Sequence, residues 1–177
     1  MDEFAYSTFT AVMALVALGL AVVAVAVRAT APPDTRIALA EPARWLAWMV
    51  AAAAMIGSLI YSEIYHFEPC RLCWFQRIAM YPMAAVLLVG AIRRDPSIRL
   101  YGLPLSVIGL AISIWHYTIQ NFPSLEGGSC DPANPCSAKL VDMFGFVSIP
   151  FMAGAGFLLI TVLLASFTHP TQHVSRQ

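Results

Sequence analysis

Five runs of roughly twenty mostly apolar residues, the length a helix needs to cross about 30 Å of hydrocarbon, constrain this chain more than any other feature. They are Thr8 to Val27, Leu46 to Tyr65, Trp74 to Ile92, Leu100 to Gln120 and Met143 to Phe167. Of 177 residues, 59% are hydrophobic and 11% charged, against roughly 45–50% and 25% in soluble domains. An all-α integral membrane protein with five spans in one domain is the expected fold. The connecting loops are too short to hold a soluble domain. A net charge of zero without a basic, aromatic-laced cluster gives no footprint for nucleic acid.

Asp2 and Glu3, not cations, precede the first span, so it reads as a retained anchor rather than a secretory signal. Arg28, Arg36, Arg44, Arg93, Arg94, Arg99 and Arg176 fall on one side of the spans, and only Arg71, Arg77 and Lys139 on the other. Basic loops stay cytoplasmic, which sets the N-terminus outside and the C-terminus inside. Pro32, Pro33 and Pro42 discourage helix continuation through the connector from Arg28 to Arg44. The stretch from Asn121 to Val141 is a polar, turn-rich outer loop, and Ser137 to Phe146 could begin a helix lying along the interface. Gly154, Ala155, Gly156 and the alanines from Ala51 to Ala54 should let helices approach closely.

On this topology all four cysteines lie outside, where disulfides persist. Pro69 suits the first turn of a helix, which places Cys70 and Cys73 in the opening turn of the third span. Unpaired amides and the helix dipole favour a thiolate there. Cys130 and Cys136 form a second pair in the outer loop. Two pairs able to exchange permit electrons to pass from a soluble thiol to an acceptor in the membrane. A static crosslink, or zinc held by both pairs, are the alternatives.

Arg77 lies one turn beyond Cys73 on the same face, where a guanidinium in the membrane is costly without a partner. It could polarise a carbonyl oxygen of a bound acceptor or stabilise the thiolate, or it could snorkel to the headgroups. His116 and Gln120 also share a face and could donate to a ring carbonyl, the alternative being hydration. Glu63, His66 and Glu68 could tune thiol acidity, though outer-loop polar residues are ordinarily solvated. The methionines fit helix contacts better than copper.

The run Pro69-Cys70-Arg71-Leu72-Cys73-Trp74-Phe75-Gln76-Arg77, followed by Met80-Tyr81-Pro82, resembles the signature of the disulfide bond formation protein B family. Its short Gram-positive and actinobacterial-type members are most similar. The likeness continues through His116, Gln120 and Pro123, then Cys136, Asp142, Phe144-Gly145-Phe146 and Ile149-Pro150, covering about Leu46 to Phe167. The resemblance implies a four-helix transmembrane bundle over residues 46–167. An additional N-terminal helix and cytoplasmic connector (1–45) would precede it, and a cytoplasmic tail (168–177) would follow.

It further implies a thiol:quinone oxidoreductase that reoxidises an extracytoplasmic, DsbA-like thioredoxin-fold partner and passes two electrons to ubiquinone or menaquinone. That relay is the family's established scheme, not a deduction from these residues. By resemblance, Cys130 exchanges with the partner, Cys136 resolves that bond or exchanges with Cys70, and Cys73 is the quinone-proximal thiolate. Arg77 would bind the quinone with His116 nearby. Only Asp131 to Pro135 separate the second pair, closer than in long-loop relatives. The vitamin K epoxide reductase-like proteins perform a similar task, but their loop pair precedes the helical pair, the reverse of the order here.

Overall fold

In a bilayer the backbone finds no water to bond, so an apolar span must satisfy its amides internally. The computed structural model describes residues 2–128 and 130–167 and meets this demand with five long helices. They are α1 (Glu3–Thr30), α3 (Ala40–Leu59), α4 (Arg71–Ile92), α5 (Ile98–Asn121) and α6 (Ile149–Phe167), with a short α2 (Pro33–Ala38) between the first two. Among the described residues there is no strand, only two isolated bridges in the outer loop. Residues 168–177, including Arg176, lie outside the described residues.

The connector's prolines do interrupt the helix, since α1 ends at Thr30 and Ala31 and Pro32 are extended, yet the connector is itself helical: Pro33 opens α2, and Pro42 sits in the first turn of α3. The first amides of a helix have no internal acceptor, so proline forfeits nothing there. One expectation needs correction: Ser137 to Phe146 does not begin an interfacial helix. Met143 and Val147 instead exchange hydrogen bonds of 2.9 and 2.8 Å across a reversal. Phe144 and Gly145 make it at φ of 57° and 78°, a conformation that ends any helix. The last span consequently starts at Ile149, six residues later than its apolar run.

Helix α6 is the centre of the bundle, packed beside α1, α3 and α5, while α4 lies against α3 and α5. Small residues make these approaches possible. Ala11, Ala14, Ala17, Ala21 and Ala24 form the buried stripe of α1, and Ala43, Ala47 and Ala51 that of α3. Gly109 of α5 lies directly under the Phe157 ring of α6. Large apolar side chains such as Val22, Ile78 and Ile114 are exposed, as a lipid-facing surface requires. The Tyr65 hydroxyl bonds the Asp2 carbonyl, so the start of α1 shares one end of the molecule with the cysteines.

Candidate functional site

The first pair is built by a helix start. Cys70 is the N-cap of α4, with extended backbone at φ −67° and ψ 172°, and its Sγ accepts from the Cys73 amide at 3.4 Å. Cys73, three residues on, turns its Sγ to within 2.8 Å of Cys70 Sγ. His116 Nε2 from α5 stands 3.6 Å from Cys70 Sγ. The same nitrogen is 3.1 Å from the Cys136 carbonyl oxygen, an obligate acceptor, so Nε2 carries the proton. The hydrogen bond from the Cys73 thiol, with His116 and the Cys73 amide adding to it, holds Cys70 below the usual thiol range despite its burial.

The second pair is a closed disulfide, Cys130–Cys136, with a Cα–Cα distance of 5.9 Å. Glu126 clasps its loop: Oε1 accepts from the Cys136 amide at 2.6 Å and Oε2 from the Ser137 hydroxyl at 2.6 Å. The Ser137 bond, chiefly, keeps the Glu126 carboxyl below its ordinary range. Gln120 donates from Nε2 to the Ala138 carbonyl at 3.1 Å. Cys70, Leu72, Ile119, Cys130 and Cys136 are buried in one apolar cluster, with Cys73 against it. Both pairs therefore meet beneath the outer loop.

Arg77 is elsewhere. It donates from Nε to Ser58 Oγ and from Nη2 to the Ser58 carbonyl, both at 2.9 Å, and its guanidinium lies 5.3 Å from the Trp74 ring centroid. The structure thus gathers Cys70, Cys73, Cys130, Cys136, His116 and Gln120, and sets Arg77 on the α3 side of α4. His116 and Gln120 hold loop carbonyls rather than sharing a cavity with Arg77.

Two spaces flank the α4 start. The one among Cys70, Cys73, His116, Gln120 and Asn134 has a volume of about 20 Å³, room for a single water. The other is a groove of about 300 Å³ lined by Ser62, Glu63, His66, Phe67, Glu68, Pro69, Trp74 and Arg77. That volume is at the lower bound for a small-molecule site. Pro69 and Trp74 are the chain neighbours of Cys70 and Cys73, so the groove abuts the pair.

Cys70, Cys73 and His116 bring their ligand atoms within 4.8 Å of one another, as a soft metal would require. Two sulfurs each about 2.3 Å from a tetrahedral ion stand roughly 3.8 Å apart. The sulfurs here stand closer than that, at 2.8 Å.

Sequence reasoning missed Ser58, Glu126 and the Gln76–Ser113 hydrogen bond of 2.9 Å that ties α4 to α5. Serine in an alanine-rich span carries no signal of its own. Glu126 had one, being the acid nearest the loop cysteines on the N-terminal side.

The family model for disulfide bond formation protein DsbB matches residues 40–167. This chain belongs to the DsbB family. Similar relatives include the probable disulfide formation protein of Oceanobacillus iheyensis, 48% identical over 126 residues, which span 70% of this chain and 87% of the relative. The disulfide bond formation protein C of Bacillus subtilis is 43% identical over 121 residues, 68% of this chain and 88% of that protein. No solved structure matches. DsbB membership makes this a membrane thiol oxidoreductase that supports disulfide formation. Helices α1 and α2 precede the DsbB match.

Proposed function

We propose that this DsbB-family chain is a thiol:quinone oxidoreductase that reoxidises an extracytoplasmic, DsbA-like dithiol oxidase of thioredoxin fold. The observation that carries this reading is His116 bridging the two pairs, at 3.6 Å from Cys70 Sγ and 3.1 Å from the Cys136 carbonyl. The partner's dithiol gives two electrons and two protons to the Cys130–Cys136 disulfide. The resulting thiols pass them to an oxidised Cys70–Cys73 pair, closing the loop disulfide again. Cys70 and Cys73 then give two electrons and two protons to a quinone, which leaves as the quinol. A reduced Cys70–Cys73 pair beside a closed Cys130–Cys136 disulfide is the arrangement from which that last step proceeds.

The groove beside Arg77 is the place for the quinone ring, because the cavity among the sulfurs holds no more than a water. Trp74 and Phe67 offer ring faces, and the Arg77 guanidinium can donate to a quinone carbonyl at the groove wall. Ubiquinone and menaquinone both fit this chemistry. In the membrane the cysteine end faces outward and residues 93–99 inward, following the arginine distribution.

Anaerobic mixing of purified protein, a reduced thioredoxin-fold dithiol oxidase and a quinone, followed by quinone absorbance, tests the proposal. Stoichiometric quinone reduction is expected, and Cys73→Ser should abolish it. Full turnover by Cys73→Ser would remove that sulfur from the path, and absence of turnover in the wild type would overturn the reading.

A further inference from the structure

The groove wall on the α3 side is not an ordinary helix. After Leu59 the helix widens into a π-turn, Ile60–Ile64, that inserts one residue and redirects everything after it. Ser62 and Glu63 of this turn, with His66 and Phe67 just beyond, line the groove. His66 takes φ of 57°, so the chain turns sharply there.

What holds the π-turn in place comes from α1, which lies outside the stretch matched to the family. Tyr61 is buried, at 7% exposure, and its hydroxyl sits 2.8 Å from Thr10 Oγ1 and 3.3 Å from Ser7 Oγ. Tyr6 donates to the Gly57 carbonyl at 3.2 Å, at the last regular turn before the widening. The Tyr61 ring meets Tyr6 edge-on at 5.0 Å. It also meets Tyr65 at 6.3 Å and Phe67, stacked at 5.7 Å and 13°, and the Phe67 amide donates to the Tyr61 carbonyl at 3.0 Å. A continuous chain of contacts therefore runs from Ser7 and Thr10 through Tyr61 to Phe67 in the groove.

We propose that the outer end of α1 is a positioning device for the acceptor groove, with Ser7 and Thr10 fixing the Tyr61 hydroxyl and Tyr61 fixing Phe67 in the groove wall. This rests on the reading of that groove as the quinone site. A π-turn costs backbone regularity and stays only where surrounding contacts determine it. The hydroxyls of α1 supply such contacts from across the bundle, and they reach the groove without touching its contents. Ser7, Thr10 and Tyr61 are accordingly positioning residues, and their effect should appear in quinone affinity alone.

The test is steady-state quinone reduction by the full-length protein, with dithiothreitol as donor and ubiquinone-1 or menadione as acceptor. Tyr61→Phe and Thr10→Val should each raise KM for quinone roughly three- to tenfold, the loss of about one buried hydrogen bond. The rate at saturating quinone and KM for dithiothreitol should stay within about twofold, the pattern of lost binding rather than lost chemistry. Thr10→Ser, which keeps the hydroxyl, should restore KM. Trp74→Ala, in the groove itself, separates the two readings. If Trp74→Ala raises KM for quinone while Tyr61→Phe and Thr10→Val do not, the positioning role is overturned and the groove assignment stands. If none of the three changes it, the groove assignment falls and the positioning role with it. A loss of rate at saturating quinone in both α1-contact variants, with KM unchanged, would also overturn the proposal, because it would mark a general loss of structure.

Discussion

Serine, threonine, aspartate and asparagine are the usual helix N-caps because their oxygens take an amide from the first turn; Cys70 puts sulfur in that position. The cap amide, the Cys73 thiol and His116 all stabilise negative charge on it. Its thiol is held below the ordinary value of 9.0, so the thiolate form persists at neutral pH and is lost only as pH falls through the depressed value. Its contribution to fold stability is full above 9.0, declines as pH falls from there towards the depressed value, and is gone below it. Iodoacetamide alkylation of Cys70 as a function of pH should therefore plateau well below pH 9, and His116→Ala should move the plateau upward.

Glu126 acts on the other pair in the opposite sense. Its carboxylate holds the Cys136 amide and the Ser137 hydroxyl of the closed loop and would repel thiolates formed there. Both effects favour the disulfide. Glu126→Gln should make Cys130–Cys136 easier to reduce by about 1 kcal/mol, the worth of a charge-assisted bond at a partly exposed site, or about 20 mV for two electrons. Equilibration with dithiothreitol in a Cys70→Ser/Cys73→Ser background measures it. The clasp is depressed below 4.5, so it weakens only as pH falls under that value.

At the scale of elements, what could be read from the sequence was what apolar length decides. The first, third and fourth spans lie within helices and the second ends one residue beyond one, because a run of that length in lipid has no other way to pair its amides. Helix starts were less legible: Pro33 and Pro42 look like breakers but occupy first turns. The π-turn was invisible, since one inserted residue in an apolar run leaves no pattern, and its supports come from α1, some fifty positions earlier. The cysteine pairs and His116 could be singled out in the sequence, and the fold brings them together. Which carbonyl His116 would hold was not, because the loop reaches it only after folding. Arg77 was placed on the face of Cys73 by spacing, yet its length carries it sideways to Ser58. Glycine positions gave a partial signal. Gly109 was not singled out, although a Cβ there would lie inside the Phe157 ring. Gly109→Ala should destabilise the bundle by about 1–3 kcal/mol, seen as a lower unfolding midpoint in detergent. Phe157→Leu in the same chain should recover part of it.

The whole molecule is polarised end to end. Glu63, Glu68, Glu126, Asp131 and the four cysteines share one end with Asp2, whereas Arg28, Arg36, Arg44, Arg93, Arg94 and Arg99 lie at the other. On the orientation proposed above, basic residues are retained in the cytoplasm and the sulfurs face outward, which is also the side the proposed relay needs, because cytosolic thiol pools would otherwise keep the pairs reduced. The two arguments are independent, one resting on insertion and the other on compartment. A membrane-impermeant maleimide applied to intact cells after mild reduction should label the native cysteines. A cysteine introduced at the exposed Ser97 of the opposite turn, in a chain lacking the other four, should resist labelling until the membrane is opened. The reverse pattern would place the pairs in the cytoplasm and leave the relay without an oxidising side on which to work.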